Sequence, residues 1–268
     1  MNYTTALSNE QIQVAAPSAF AVTPYFKQSD RYAFVPTSRV IDGMRDSGFL
    51  PVKASQSKSR IEGKSDFTKH MIRFRSVDAL NRQSLVGDSI PEIVLINSHD
   101  GTSAYKLFFG IFRLVCSNGM VVADSLLGSI NIRHTGNIVK EVIEGSQNLI
   151  QSVPTVLDVV KQWETIELAP AESLALATAA HTYRFADAET QVTPERLLQP
   201  RRYADNGTDL WKTFNRVQEN LTKGIRGRVD RSTGQRTGAR GIKSIDGDVK
   251  LNRALWAMAE KLAEIKSA

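Results

Sequence analysis

Hydrophobic residues in the first half of the chain recur in short runs that partly alternate with polar residues, which is the pattern of β-strands. The candidate strands cover residues 67–77, 92–97, 105–115 and 130–133. The dipeptides Asp100-Gly101 and Asn118-Gly119 follow two of these runs and are typical of tight turns. Consecutive strands joined by short turns predict a meander, so we expect a mainly antiparallel sheet.

The hydrophobic period changes to that of helices from Asn137 onward. Pro154 interrupts the first helical run, and Thr193-Pro194 has the form of an N-cap followed by proline in the first turn. Further helices are predicted over Val156–Ile166, Pro170–Phe185, Thr208–Leu221 and Asp248–Lys266. Strands followed by helices predict the α+β class, with the sheet in the N-terminal two-fifths and a helical C-terminal region.

This order divides the chain into three regions. They are a flexible N-terminal arm at 1–20, an antiparallel β-rich core with a short helix at 21–135, and a helical region at 136–268 that contains a basic Gly/Arg-rich loop at 222–244. The arm is expected because its residues are polar, with few large apolar side chains. The short helix is expected to be capped by Thr37 or Ser38 and to end at Gly48.

Composition places the chain among ordinary globular proteins, with 41% hydrophobic and 23% charged residues in 268 positions. No apolar run approaches the roughly 18 residues of a membrane-spanning helix. The first 20 residues lack the basic start and apolar centre of a secretory signal. Cys116 is the only cysteine, so no internal disulfide can form. These features predict a cytoplasmic protein.

Charge is segregated along the chain, whose net charge is +6. Residues 1–80 hold 11 Lys and Arg against 7 Asp and Glu, residues 81–200 hold 8 against 13, and residues 201–268 hold 15 against 8. Two basic ends around an acidic centre favour a surface that meets a polyanion such as nucleic acid. The alternative is that these cations are scattered and merely solvated.

The strongest single candidate for a nucleic-acid contact is the segment 222–244. Its cations are Lys223, Arg226, Arg228, Arg231, Arg236, Arg240 and Lys243, opposed by one acid, Asp230. Arginine presents forked donors to phosphate, and the five glycines of the segment allow the backbone to approach a ligand closely. The segment is therefore predicted to follow a sugar-phosphate backbone. The alternative is a solvated, flexible linker before the last helix.

A second basic segment covers residues 53–75. Its cations are Lys53, Lys58, Arg60, Lys64, Lys69, Arg73 and Arg75. Phe67 and Phe74 lie among them, and aromatic rings beside cations are what single-strand binding uses, because bases stack on rings. The alternation of the strand nevertheless favours core packing over stacking for both phenylalanines.

No recognisable catalytic centre, metal site or cofactor motif is found in the sequence. His99-Asp100 is tested as a metal dyad, but the other histidines lack metal-ligand spacing and turn chemistry explains the pair better. Cys116 lies in an apolar run and is interpreted as a buried thiol. No phosphate-binding GxxxxGK[ST] loop is present. The helix around Trp256 is expected to dock through one apolar face, which is formed by Leu251, Leu255, Met258, Leu262 and Ile265.

Several segments resemble a known family. They are Tyr32-Ala-Phe-Val-Pro-Thr-Ser, Phe67-Thr-Lys-His-Met-Ile-Arg-Phe-Arg, Asn97-Ser-His-Asp-Gly-Thr-Ser-Ala-Tyr, Arg113-Leu-Val-Cys-Ser-Asn-Gly and Asp248-Val-Lys-Leu-Asn-Arg-Ala-Leu-Trp. Together they resemble family 932 of the domains of unknown function, whose members are associated with phages and conjugative plasmids. The resemblance spans about residues 20–265. It implies no catalytic residues, and it implies DNA of mobile elements, single-stranded DNA in particular, as the partner.

Three hypotheses remain at this stage. The first is a protein of a mobile element that binds single-stranded DNA through segments 53–75 and 222–244, with strand annealing and homo-oligomerisation as extensions. The second is an anti-defence protein, an anti-restriction or anti-CRISPR factor, that binds a host defence complex or occupies its nucleic-acid channel. The third is a metal-dependent nuclease whose metal site the sequence does not reveal, and loss of metal-dependent cleavage in Asp100→Ala would support it.

Overall fold

The computed structural model describes residues 5–26, 32–81, 89–113, 118–122, 129–134, 137–186, 190, 192–227 and 238–267. The chain divides into two compact units, Met1–Val153 and Pro154–Ala268. We call them the sheet unit and the helical unit. The helix at 138–151 belongs to the sheet unit, so the boundary lies about one helix later than the change of hydrophobic period indicates.

The sheet unit is built on six antiparallel strands. They are β1 (Phe49–Gln56), β2 (His70–Ser76), β3 (Ser89–Asn97), β4 (Tyr105–Arg113), β5 (Asn118–Val121) and β6 (Ile130–Ile132). The order is β1-β2-β3-β4-β5, and β6 pairs with the other part of β4. The strands are rich in β-branched and aromatic residues, which fit a pleated surface. Asn118-Gly119, predicted as a turn, instead begins β5 and pairs with the end of β4.

Four helices of the described residues complete the sheet unit. They are α1 (Asn9–Ala15), α2 (Thr37–Asp46), α3 (Val77–Asn81) and α4 (Ile138–Gln151). The apolar stripe of α2, namely Val40, Ile41 and Met44, is fully buried, and α2 packs on β1 and α4. Gly48 follows α2 with φ of +83°, a left-handed conformation that favours glycine, as the predicted end of this helix requires.

The N-terminal segment differs from the predicted flexible arm. Residues 9–15 form α1, which begins with a capping box in which Ser8 and Gln11 exchange side-chain and backbone hydrogen bonds. A 3-10 turn follows at Pro17–Phe20. Ile12, Ala16 and Ala19 are fully buried. These buried side chains anchor the segment. Alanine contributes little to a hydrophobic pattern, so that pattern gave little indication of this packing.

The helical unit consists of five helices and a two-stranded ribbon within the described residues. The helices are α5 (Val153–Thr165), α6 (Pro170–Phe185), α7 (Pro194–Leu197), α8 (Leu210–Lys223) and α9 (Ile245–Ser267), and the ribbon pairs β7 (Gly224–Ile225) with β8 (Ala239–Arg240). Its core contains all three tryptophans of the chain, Trp163, Trp211 and Trp256, together with Phe214. The rings of Trp163 and Trp256 are 4.6 Å apart between centroids.

Helix α9 buries a face shifted from the predicted one. Leu251 and Leu255 are buried as expected, but Ala259 and Ala263 replace the expected Leu262, and Ile265 is 63% exposed. Small alanines allow close helix packing around the tryptophans. An antiparallel sheet in the N-terminal half followed by helices confirms the predicted α+β class. Among the described residues, no helix has the length and apolarity to cross a membrane.

Candidate nucleic-acid interface

Two cations of the segment 53–75 lie inside the sheet unit. Arg73 and Arg75 are each 2% exposed, and both bind the carboxylate of Glu92 on the neighbouring strand β3. Arg73 Nη1 lies 2.9 Å from Glu92 Oε2, and Arg75 donates from Nε to Glu92 Oε1 at 2.9 Å. The Arg75 guanidinium also lies 4.0 Å from the ring centroid of Phe112. Because both side chains are buried and paired, they are not surface contacts for a phosphate backbone as the sequence predicted.

The other cations of this segment lie at or near the surface. Lys53, Lys58 and Arg60 are exposed, and Lys64 and Lys69 are half-buried. Residues 57–69 connect β1 to β2 in a long hairpin loop that is closed at its base by the hydrogen bond from Ser57 N to Lys69 O, 2.8 Å. The loop therefore presents Lys58, Arg60 and Lys64 from a fixed base.

The turn at His99-Asp100 is bonded both to the end of this loop, at residue 67, and to residue 25, which is distant in the chain. His99 N donates to Phe67 O and Tyr25 N donates to His99 O, each at 3.0 Å. Asp100 accepts hydrogen bonds from the backbone and hydroxyl of Thr102, so the turn is of the Asx type. Its other carboxylate oxygen lies 3.1 Å from Lys64 Nζ. The pair thus has the turn role that the sequence favoured, and it positions the residues around it.

Burial would raise the pKa of Asp100, but hydrogen bonds from Thr102, Ser98 and Lys64 outweigh it and lower that pKa below its ordinary value. Asp100 is therefore a carboxylate at neutral pH. His70 and His99 lie close to it, but no cluster of three His, Cys, Asp or Glu suited to a metal ion occurs among the described residues. The prediction for Cys116 falls outside those residues.

Three aromatic rings meet at the surface where this turn places them. The Tyr25 ring lies 4.5 Å from that of Phe26 and 5.5 Å from that of Phe67, between centroids. Lys64 Nζ lies 5.8 Å from the Tyr25 centroid. Phe26 is 78% exposed. We call these three rings, together with Lys64 and the exposed Lys58 and Arg60 of the same loop, the aromatic–basic surface.

The two phenylalanines of the segment 53–75 have different environments. Phe74 is fully buried in the core, which confirms the interpretation from strand alternation. Phe67 lies in a 3-10 turn at the end of the loop and is half-buried against Tyr25. The contribution of Tyr25 and Phe26 was missed, because nothing local in the sequence shows that residues 25–26 and 67 share one surface.

A cleft of about 350 Å³ adjoins the same loop. It is lined by Ala15, Pro17, Gln56, Ser57, Lys58, Ser59 and Ser65. Gln56 fixes one wall, since its side chain accepts from Ser18 N at 2.8 Å and donates to Ser65 O at 2.6 Å. The hydroxyl groups and Lys58 give this cleft the polar lining that suits sugar and phosphate oxygens.

Beneath the loop, the sheet unit contains a buried polar network that the sequence did not reveal. It centres on the Thr37 hydroxyl, at the start of α2, which lies 2.9 Å from His70 Nε2, 3.1 Å from His99 Nε2 and 3.0 Å from Asn97 Nδ2. Thr37 was predicted to cap α2, but its side chain makes no capping bond and turns into this network instead. All four residues are fully buried.

One arrangement of protons accounts for the hydrogen bonds around Thr37. His70 Nδ1–H donates toward Ser18 Oγ and Thr68 O, at 2.9 and 3.3 Å, so its Nε2 accepts from the Thr37 hydroxyl. His99 Nε2–H then donates to Thr37 Oγ1, which leaves the buried His99 Nδ1 without a hydrogen-bond partner in the described structure. This assignment follows from the partners, and it requires both imidazoles to be neutral.

Burial lowers the pKa of His70 to about 4 and that of His99 to about 3, and in His99 the neighbouring His70 and His134 contribute to the shift. Burial also lowers the pKa of His134. The pKa of Tyr105, whose hydroxyl donates to Val35 O at 2.8 Å, is raised by burial. With these shifts the network is uncharged at neutral pH, so it stabilises the fold beneath the loop rather than attracting an anion.

In the helical unit, the two ends of the segment 222–244 pair as the β7–β8 ribbon. Gly224 lies opposite Arg240, and Ile225 lies opposite Ala239. A methyl group on Gly224, Gly238 or Gly241 would lie 2.3–2.6 Å from a backbone atom of the opposite segment. The glycines are therefore needed for the approach of the two backbones to each other, and not, as the sequence suggested, to a ligand.

Polar side chains anchor the base of this ribbon. Arg201 donates to Gly224 O and, at 2.7 Å, to Asn220 Oδ1. Arg196 donates to Arg226 O at 2.7 Å. The ends of the segment are thus tied to α7 and α8, so they are not the unstructured linker that was the alternative interpretation.

Four predicted contact residues fall within the described part of this segment, namely Lys223, Arg226, Arg240 and Lys243, and all four are exposed. Lys223 is paired with the buried Glu219 at 2.8 Å. Arg226, Arg240 and Lys243 form no salt bridge with any described residue. Arg228, Arg231 and Arg236 lie outside the described residues.

Comparisons with known proteins give a consistent family assignment. A family described as a domain of unknown function, DUF932, matches residues 27–256. UPF0380 protein YafZ and UPF0380 protein YfjQ, both from Escherichia coli strain K12, are each 41% identical to the chain over 257 residues, which is 96% of this chain and 91% of the relative. No solved structure matches the chain. With a match across most of its length, the chain belongs to the DUF932 family.

Proposed function

We propose that this protein binds single-stranded nucleic acid, with single-stranded DNA of a phage or plasmid as the expected partner. The observation that carries the proposal is the aromatic–basic surface, in which the Tyr25 ring contacts both the exposed Phe26 ring and Phe67 and lies beside Lys64. Bases of a single strand stack on such rings, while neighbouring cations hold the backbone. Bases in a duplex are stacked on each other and do not offer their faces, so the surface favours single strands.

The ribbon of the helical unit supports the proposal as a second basic surface. Arg240 lies opposite Gly224, and Arg226 directly follows Ile225, the last paired residue of β7. Glycine has no side chain, so Arg240 is unobstructed across the ribbon. No Asp or Glu occurs in residues 222–227 or 238–244. Two exposed guanidinium groups on one short ribbon suit the phosphates of a strand.

The mobile-element setting and the annealing activity belong to the same proposal. The setting follows from the resemblance of the chain to a family associated with phages and plasmids. Annealing needs a protein that holds two strands, and a chain with one candidate surface in each unit has two places for them. An assay of fluorescence loss when complementary labelled oligonucleotides pair tests annealing directly.

Replacing Phe26 with alanine is expected to weaken binding of an oligothymidine of about 15 nucleotides by about 5- to 150-fold, because stacking on one ring contributes about 1–3 kcal/mol per base. Fluorescence anisotropy at low salt measures the dissociation constant. Tyr203→Ala is the matched control, since Tyr203 is 91% exposed in the helical unit and belongs to neither surface. The proposal fails if the wild-type chain does not bind at low salt, or if both variants bind like wild type.

The double variant Arg226→Gln/Arg240→Gln is expected to flatten the salt dependence of oligothymidine binding. Each phosphate contact on a single strand contributes about 0.7 to the log–log slope, so the slope should fall by about 1.4. Lys161→Gln/Lys261→Gln removes the same charge from exposed positions of the same unit, where the side chains are 57% and 71% exposed, and should leave the slope near that of wild type. If both double variants lower the slope equally, the slope depends on the net charge of the chain and not on the ribbon.

A further inference from the structure

The helical unit contains a cavity of about 400 Å³, which is lined in part by the end of the segment 222–244. Nine residues line it, of which three are cations, Arg184, Lys243 and Lys250, and none is an acid. Its volume falls within the range of about 300–1,000 Å³ that ligand sites have. Three positive charges from three separate parts of the chain, the end of α6, the segment before α9 and the first turns of α9, converge on one space.

None of the three cations is neutralised by a carboxylate of the described structure. Arg184, Lys243 and Lys250 form no salt bridge with a described residue, although paired lysines are common elsewhere in this unit. The three charges are therefore available to an anion that enters the cavity.

Tyr183 adds an aromatic wall. Its side chain is 40% exposed and lines the cavity next to Arg184. At the start of α9, the amide of Gly247 is already bonded, because it donates to Ser244 Oγ at 3.2 Å. The anion would therefore be held by the three side-chain cations, and not by the end of the helix.

We propose that this cavity binds a nucleotide phosphate, with the adjoining base stacked on Tyr183. A phosphate monoester carries nearly two negative charges at neutral pH and three acceptor oxygens, which match three cations better than the single charge of a phosphodiester. The ligand is thus a nucleoside monophosphate, either free or as the phosphorylated end of a strand. Binding of a phosphorylated strand end rests on the proposed function, whereas binding of a free nucleotide does not. The cavity is separate from Phe26 and from the ribbon arginines.

The test is calorimetric titration of the full chain with thymidine 5′-monophosphate, inorganic phosphate and thymidine. Thymidine monophosphate should bind more tightly than either of the others. Lys250→Gln and Arg184→Gln should each weaken it roughly tenfold or more, because a hydrogen bond to a charged group is lost. Tyr183→Leu should weaken thymidine monophosphate but not inorganic phosphate. Lys261→Gln, exposed on the same helix and outside the cavity, should bind like wild type.

The same variants with 5′-phosphorylated and unphosphorylated oligothymidine distinguish the two sources. If the chain prefers the phosphorylated strand and Lys250→Gln removes that preference, the cavity binds strand ends. If both strands bind equally, the cavity binds free nucleotides. The inference is overturned, while the proposed function stands, if oligothymidine binds and thymidine monophosphate does not. The same conclusion follows if oligothymidine binds and thymidine monophosphate binds to every cavity variant as it does to wild type. If thymidine monophosphate binds in a Lys250-dependent way and oligothymidine does not bind, the inference stands and the proposed function fails.

Discussion

The Glu92→Gln variant is expected to lose about 3–5 kcal/mol of the free energy of unfolding of the sheet unit. Glu92 is 1% exposed and is the carboxylate that binds both Arg73 and Arg75. Glutamine preserves the volume but removes the negative charge, so Arg73 and Arg75 lose the buried carboxylate that both of them bind. Burying an uncompensated charge costs far more than the loss of one hydrogen bond between neutral groups.

The measurement must report on the sheet unit alone. All three tryptophans lie in the helical unit, so tryptophan fluorescence follows the unfolding of that unit only. Hydrogen exchange of the backbone amides of β2, β3 and β4 in native conditions follows the sheet. We expect these amides to exchange faster in Glu92→Gln, with little change in the fluorescence transition.

Two control variants separate the loss of a buried charge from other causes. Glu144→Gln removes an exposed carboxylate that pairs with Lys140 at 3.6 Å, and it should cost less than about 1 kcal/mol. Arg73→Met/Arg75→Met/Glu92→Leu removes all three charges together, and it should be closer to wild type than Glu92→Gln is, because the two arginines are removed with their shared carboxylate. If Glu92→Gln exchanges like wild type, the two arginines are compensated in another way.

Acidification from pH 7 to 4.5 is expected to destabilise the sheet unit by on the order of 5 kcal/mol through His70 and His99. Burial lowers the pKa of His70 to about 4 and that of His99 to about 3 in the folded chain, against about 6.5 when unfolded. Below pH 6.5 the unfolded chain therefore binds more protons than the folded one. The stabilisation is fully present above 6.5 and is lost as pH falls toward the folded pKa values, at up to about 1.4 kcal/mol per pH unit for each histidine.

The geometry of the network gives the same sign. Protonation of His99 would add an N–H at Nδ1, which is buried and has no hydrogen-bond partner in the described structure. Protonation of His70 would place a second N–H against the Thr37 hydroxyl, which already donates to that nitrogen in the neutral form. Asp100 acts in a lower window, because its pKa is below the ordinary value and its contribution is lost only on further acidification.

Amide exchange of β2, β3 and β4 across pH 7 to 4.5, corrected for intrinsic exchange rates, measures this effect. His99→Gln should reduce the dependence of stability on pH to roughly half of the wild-type value, whatever its effect on stability at pH 7. His181→Gln is the control, since His181 lies in the helical unit and bonds to Val192 O at 2.6 Å. A pH dependence of the sheet unit that is unchanged in His99→Gln would contradict the assignment.

The candidate interface could be predicted from the sequence only in part. Segments 53–75 and 222–244 were identified from the density of cations, and Lys58, Arg60, Arg226, Arg240 and Lys243 are exposed as a contact surface requires. The density of cations does not report which of them are buried. Alternation of Arg73 and Arg75 with apolar residues fits a strand at the surface and also a strand in the core. Only the pairing of β2 with β3, which places Glu92 beside the two arginines, shows that their side chains are buried.

The aromatic partners needed information that no local pattern holds. Tyr25 and Phe67 are 42 positions apart and meet because both bond to the backbone of His99. Tyr183, Arg184 and Lys250 likewise form a cavity with Lys243 only after α6 and α9 pack. Each of these residues is unremarkable within its own segment.

By itself, the sequence determined the order and nature of the elements: strands and then helices, Pro170–Phe185 as a helix, and Asp100-Gly101 as a turn. These depend on periodicity, caps and turn residues, which act over a few positions. Only the tertiary structure decided which charges are buried, that the glycines at 224, 238 and 241 serve backbone pairing, and that Thr37 joins two histidines. The physical reason is that burial and pairing are set by residues distant in the chain, which the fold alone brings together.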